Sequence, residues 1–168
     1  MAEAFHLSFG VPVVTVRPFN TFGPRQSGRA VIPTIIAQCM NGGAIRLGNL
    51  RPTRDLNFVS NTVDGFVQAA LEPTAIGRTI NLGSGREISI GDLAGLIGRL
   101  MDCPVAVETE DVRMRPEKSE VERLLASNAL AASLLSWRPA VGLEEGLRRT
   151  IEWVRANRSK YRAHVYAI

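Results

Sequence analysis

RPFNTFGPRQ, residues 17–26, follows directly on the apolar run VPVVTV, residues 11–16. An apolar run of that length feeding a polar loop rich in Gly and Pro reads as a buried strand ending in a binding loop. In an open α/β sheet, ligands sit beyond the carboxyl ends of the strands, which places a candidate site in this loop. A second short strand, TINL at residues 79–82, leads into Gly83-Ser84-Gly85. The first run, without polar alternation, suits parallel pairing with both faces covered, and TINL is expected to pair with it.

Helical and short extended patterns alternate around these two strands. Residues 31–40 carry helical spacing and stop at Asn41-Gly42-Gly43, a good C-cap. Residues 44–47 and 55–59 are expected strands flanking the turn GNLRPTR. Residues 62–71 form an amphipathic helix with Val63, Phe66, Val67, Ala70 and Leu71 on one face, ended by Glu72-Pro73. Ser89 opens a helix to about Met101, with Asp92 three residues on as an approximate capping box. A short strand at 105–107, a charged loop at 110–120 and helices at 128–135 and 143–157 follow, the last with Leu147, Ile151 and Val154 facing inward. The N-terminal MAEAFHLSFG reads as the last turns of a helix, with Phe5 and Phe9 on one face and Gly10 as its stop. This alternation argues an α/β fold.

Composition bounds the function classes. A chain of 168 residues with 45% apolar and 21% charged residues builds one compact domain or a domain and a half. No apolar run is long enough for a membrane helix, and the N-terminus has no secretory pattern. Cys39 and Cys103 lie far apart with no metal-like spacing, so reduced thiols and a cytoplasmic location are expected. The net charge of +4 is concentrated in Arg148, Arg149, Arg155, Arg158, Lys160 and Arg162. Without interleaved aromatics or a recognised motif, that cluster reads as a solvated helix end and not as a nucleic-acid surface.

PVVTVRPFNTFGPRQ, AVIP, LGNLRPTRDLNFVSNTVDGF, INLGSG, RPEKSEV and LSWRPAVGLEEGLRRTIEW occur in that order. Order and spacing resemble the C-terminal half of extended short-chain dehydrogenases, the NAD-dependent nucleotide-sugar epimerases and dehydratases, most closely the sugar-nucleotide 4,6-dehydratases. The resemblance implies the C-terminal portion of a Rossmann-type fold: the last parallel strands plus a small substrate-binding α/β subdomain, without the N-terminal dinucleotide-binding half. Residues 1–168 are then a single truncated domain.

The resemblance also implies roles. Asn20 falls on the family's substrate-contacting asparagine, and its amide can donate to a phosphate or a sugar hydroxyl. Arg54 and Arg115 fall on its two diphosphate arginines, whose planar donors suit bidentate charged bonds. Arg46 matches a strand lining the base or ribose pocket. Val31 begins the helix that approaches the base through its free first-turn amides; a Pro-containing first turn of a core helix explains the same residues. Phe19 falls where the family approaches the nicotinamide, and equally reads as a core aromatic. Gly83-Ser84-Gly85 lacks the full G-x-G-x-x-G spacing and reads as a tight turn. Asn61 stands where many relatives carry an acid, and is expected to cap the helix that follows.

The family's glycine-rich cofactor turn and its catalytic Tyr-x-x-x-Lys are not found in these residues; the tyrosines are Tyr161 and Tyr166. In the family, that tyrosine removes the proton from the sugar's 4-hydroxyl while NAD accepts hydride, and the lysine lowers the tyrosine's pKa. His6 and His164 offer no substitute. The expectation is a chain that binds a nucleoside-diphosphate sugar, does not bind NAD alone and does not catalyse alone. It would be completed by an N-terminal half or covered by self-association as a homo-oligomer.

Overall fold

A computed structural model describes residues 1–42, 44–103, 106–110 and 121–161. Helix α1 (Ala2–Phe9) ends on Gly10, which takes the left-handed conformation (φ 65°) and sends its N–H to His6 O. Phe5 and Phe9 stack on one face, ring centres 5.5 Å apart. The strand after it, β1 (Thr15–Pro18), begins four residues later than the apolar run suggested. Val13 O accepts only from the Gly77 turn, and regular pairing starts with Thr15 N donating to Arg78 O. Pro12 has no N–H to contribute to a ladder.

β1 pairs in parallel with β6 (Thr79–Leu82), Thr15 opposite Thr79 and Pro18 opposite Leu82. The chain then passes to a second parallel pair, β2 (Thr21–Phe22) with β5 (Asn57–Phe58). β3 (Ile45–Leu47) pairs in parallel with β8 (Val107–Thr109). β4 (Thr53–Asp55) lies between antiparallel β7 (Glu87–Ser89) and parallel β9 (Arg123–Leu124).

The helices are α2 (Val31–Asn41), α3 (Val59–Leu71), α4 (Ile90–Leu100), α5 (Ala129–Leu135) and α6 (Leu143–Ala156). α4 starts as the sequence indicates: Ser89 Oγ accepts from Asp92 N and donates to Asp92 Oδ2. Two apolar cores result. The larger gathers Phe22, Ile35, Ile36, Leu93, Ile97 and Leu147 from α2, α4, α6 and the mixed strands. The smaller packs Ile80 and Leu82 of β6 against Ala69, Ala131, Leu135 and Trp137.

α3 departs from its expected reading twice. It begins at Val59, with Phe58 as N-cap, so Asn61 lies inside its first turn. Asn61 caps nothing at the helix start: its Oδ1 accepts from Ala140 N and Val141 N, and its Nδ2 donates to Val141 O. It staples the chain before α6. The second departure is the apolar face. Val63, Phe66, Val67, Ala70 and Leu71 point to solvent, with Val63 56% and Leu71 77% exposed. The packed face is Asn61, Thr62, Gly65 and Ala69. Gly65 is required there, because a Cβ would collide with the Leu82 side chain and meet Trp137 Nε1 at 3.1 Å. β1 is likewise only half covered: Arg17 and Pro18 are exposed.

Arg162 of the basic C-terminal cluster lies outside the described residues. Arg148 and Arg149 pair with Glu144 and Glu145 one turn back, and Arg158 donates to Asn41 Oδ1. No helix among the described residues is long and apolar enough to cross a membrane.

Candidate functional site

The loop that carries Asn20 is fixed from both sides. Phe19 N donates to Leu82 O (2.8 Å), extending the β1–β6 ladder by one residue. Asn20 O then accepts from Asn57 N (3.1 Å), handing the chain to the β2–β5 pair. Asn20 therefore sits at the junction of the two parallel pairs, at the carboxyl end of β1. A chain of side-chain hydrogen bonds supports it from below. Asn61 Nδ2 donates to Asn57 Oδ1, and Asn57 Nδ2 donates to Thr62 Oγ1. The Thr21 hydroxyl donates to Phe19 O (3.1 Å), so in its 3.0 Å contact with Thr62 the Thr62 hydroxyl is the donor. The chain runs in one direction, from α3 to the carbonyl beside Asn20.

Against that satisfied network, Asn20 Nδ2 is buried and has no hydrogen-bond partner among the described residues. Leaving a buried donor unanswered costs roughly 1–3 kcal/mol. Gln26 Oε1, Gln68 Oε1 and Trp153 Nε1 are buried in the same way; Asn20 Nδ2 is the one at the carboxyl end of β1, where an open α/β sheet takes its ligand.

The rest of the loop is held as firmly. Gly23 (φ 153°) passes so close to α3 that a Cβ would meet Val59 Cγ1 at 2.6 Å. Arg25 adopts φ 69°, and its guanidinium lies 5.4 Å from the Trp153 ring centre. Tyr161 Oη donates to Gln26 O (3.1 Å).

Arg54 enters on β4, three residues before Asn57, and its Nη1 donates to Thr53 O (2.8 Å) and Val121 O (2.7 Å). The guanidinium thus spans from β4 to the approach of β9. Arg46 lies on β3, exposed, with Nε 3.7 Å from Glu108 Oε2 of the facing β8 residue. An exposed pair of that kind is worth little. The backbone of Arg46 is more firmly placed, because Gln38 of α2 donates to its carbonyl (3.1 Å) and accepts from its N–H (2.6 Å). Val31 opens α2 behind Ala30, which offers no side-chain cap. Val31 and Gln38 are separated by about 10 Å along the helix axis at 1.5 Å per residue. The structure therefore brings Asn20 to Asn57 of β5, leaves Arg54 three residues back on β4 with its guanidinium on Thr53 O and Val121 O, and sets Arg46 at the opposite end of α2 from Val31. Arg115 lies outside the described residues.

Asp55 is the residue the sequence reading passed over. It is fully buried. Its Oδ1 accepts from Ser84 N and Ser84 Oγ, and its Oδ2 from Gly85 N (3.0 Å) and Ala126 N (3.1 Å). Asn128 Oδ1 accepts from Gly83 N. All three amides of the Gly-Ser-Gly turn are consumed internally, so none is left to cradle a phosphate. A carboxylate directly before the apolar pair Leu56 and Phe58 was the available signal. The turn does not fit a dinucleotide pyrophosphate, and no step through NAD follows from these residues. A cleft of about 540 Å³ lined by Ile45, Ala94, Gly95, Gly98, Arg99, Asp102 and Cys103 lies elsewhere; none of Phe19, Asn20, Val31 or Arg54 lines it. Among the described residues, no group of three or more His, Cys, Asp or Glu side chains is placed to hold a metal.

Parallel strands ending in a fixed Gly- and Pro-containing loop, joined to a small mixed sheet, make this the C-terminal portion of a Rossmann-type extended short-chain dehydrogenase fold. The chain belongs to the family of NAD-dependent sugar-nucleotide epimerases and dehydratases: the family model described as GDP-mannose 4,6 dehydratase matches residues 1–150. It is 32% identical over 144 residues to the UDP-glucose 4-epimerase of Mycolicibacterium smegmatis, covering 83% of this chain and 44% of that protein. It is 35% identical over 163 residues to UDP-glucuronic acid decarboxylase 1 of Xenopus tropicalis, covering 92% of this chain and 36% of that one. The structure of the epimerase Mth375 from Methanothermobacter thermautotrophicus superposes with a TM-score of 0.85 at 35% identity, over 94% of this chain and 47% of that chain. WbmF of Bordetella bronchiseptica, solved in complex with NAD+ and UDP, superposes with a TM-score of 0.79 at 29% identity, over 94% and 50%. The chain spans half or less of the length of these relatives.

Proposed function

We propose that residues 1–168 are the nucleoside-diphosphate-sugar half of an epimerase or dehydratase. The partner half, which holds NAD and the acid–base pair, docks against α1, α3 and the free edge of β1. The observation that carries the binding role is the buried, unanswered Nδ2 of Asn20. A phosphate or sugar oxygen would satisfy it, with Arg54, on β4 three residues before Asn57, and Arg115 supplying positive charge to the diphosphate. Val31, at the start of α2, forms the base side; Arg46, at the far end of that helix, stands outside this group. Phe19, next to Asn20, is the residue proposed to face a nicotinamide delivered by the other half. The solved relative that holds UDP favours UDP as the first nucleoside diphosphate to try. Catalysis is assigned to the assembled pair and not to these residues alone.

The uncovered apolar face of α3 supports the docking role, since five apolar side chains on one exposed helix face mark an interaction surface. The same face favours a second reading, a self-associating module in which a second copy covers α3.

Calorimetric titration of the chain with UDP, GDP and dTDP, without NAD, tests the binding role. One nucleoside diphosphate should bind, and Asn20→Ala should weaken it roughly tenfold to a hundredfold, the loss of a hydrogen bond to a charged group. Absence of binding by all three would overturn the assignment.

A further inference from the structure

Cys39 and Cys103 are 64 residues apart in sequence and meet in the fold. Cys39 sits in the last turn of α2 and is buried, 8% exposed. Cys103 follows α4, where its N–H donates to Gly98 O (3.0 Å). The Cys103 thiol reaches Cys39 O at 3.7 Å, joining the Gly42 N–H (3.4 Å) on the same helix-end carbonyl. Burial first, and the adjacent Cys103 sulfur second, push the Cys39 thiol up to about 12. Cys103 is the accessible partner: it is half-buried and lines the cleft of about 540 Å³ with Gly95, Gly98, Arg99 and Asp102.

We propose that Cys39 and Cys103 form a redox dithiol, which hydrogen peroxide reaching Cys103 through this cleft converts to an intramolecular disulfide. The Cys103 sulfur attacks one peroxide oxygen. The O–O bond breaks, Cys103 becomes a sulfenic acid and the other oxygen leaves as water. The Cys39 sulfur then attacks the Cys103 sulfur; an S–S bond forms, the S–O bond breaks, and the hydroxyl departs as water with the Cys39 proton. Two thiols and one peroxide give one disulfide and two waters, with two electrons passing from sulfur to oxygen. Access sets the order, because the covered, firmly protonated Cys39 is the poorer first nucleophile. The bond ties the end of α2 to the exit of α4 across a long loop, a constraint that raises stability.

The test treats the dilute 168-residue chain with hydrogen peroxide and digests it with trypsin without reductant. A linked pair of peptides, 30–46 and 100–113, is expected, together with loss of both free thiols, a monomeric band on a non-reducing gel and a melting temperature that rises and returns with dithiothreitol. Cys39→Ala should strand Cys103 as a sulfenic acid that dimedone captures. Retention of both thiols in the treated wild type would overturn the proposal. So would chain-to-chain disulfides alone, or oxidised Cys103 without the linked peptides.

Discussion

Asp55 and Ser84 are joined twice: Asp55 Oδ1 accepts from both the backbone N–H and the hydroxyl of Ser84, each at 2.6 Å. With Gly85 N and Ala126 N on the other oxygen, this one side chain ties β4 to the turn after β6 and to the segment before α5. It is the joint between the strand pair of the smaller core and the mixed sheet of the larger. Asp55→Asn keeps the shape but turns an acceptor toward donor amides into a second donor. The expected loss is about 3 kcal/mol, the scale of charged hydrogen bonds inside a protein. Urea denaturation measures it.

Gly65 and Gly95 give opposite results from the same substitution. Gly65→Ala drives a methyl group into Leu82 and Trp137, and overpacking of that kind costs about 1–3 kcal/mol. Gly95, inside α4, has Arg99 Nη1 as its nearest neighbour at 3.6 Å, an ordinary contact. Gly95→Ala should stabilise by up to about 1 kcal/mol through helix propensity. Thermal melts of the two variants check the difference in sign.

Glu87 sets a pH signature on the mixed sheet. Hydrogen bonds from Arg123 first and Thr53 second hold its carboxyl below the ordinary value of 4.5. Because the folded value is depressed, the contribution is present above about pH 4.5 and is lost as pH falls through the lower folded value. Glu87→Gln should therefore be less stable than wild type near neutrality, by a small margin at this exposed site. The two stability curves should converge below pH 4.5. Denaturation as a function of pH gives both curves.

The exposed face of α3 predicts a separation of stability from association. Phe66→Glu with Val67→Lys changes two side chains that point to solvent, so the melting temperature should hold within the change typical of surface sites, about 0.5 kcal/mol. Docking of a dinucleotide-binding half, or concentration-dependent self-association, should fall sharply. Light scattering and pull-down read the two forms of association.

Local chemistry made much of this fold readable. The Ser89 and Asp92 cap, the inward row Leu147, Ile151 and Val154, and the pairing of RPFN's strand with TINL all rest on residues close in sequence or on an uninterrupted apolar run. What escaped depends on distant partners. Asn61 looked like a cap because the atoms it holds, Ala140 N and Val141 N, lie about eighty residues away. The stripe on α3 was legible as a stripe, but periodicity does not say what covers it. β1 starts late because Val13 O is taken by the Gly77 turn and regular pairing begins only with Thr15 N on Arg78 O. At the site, Asn20 was legible from the loop that follows the strand; the network through Thr62 and Thr21 that holds it was not, since threonines carry no sequence signature of burial. Cys39 and Cys103 read as separate thiols, and only the packing of α2 beside α4 brings them together.

The side-chain amide of Asn20 is the most direct probe of the central claim. Its Nδ2 pair, assigned in a nitrogen–proton correlation spectrum by its loss in Asn20→Asp, should shift and slow its exchange as UDP or another nucleoside diphosphate is added. The shift should saturate with the calorimetric binding curve. A nucleotide that binds while this resonance stays in place would contradict the account.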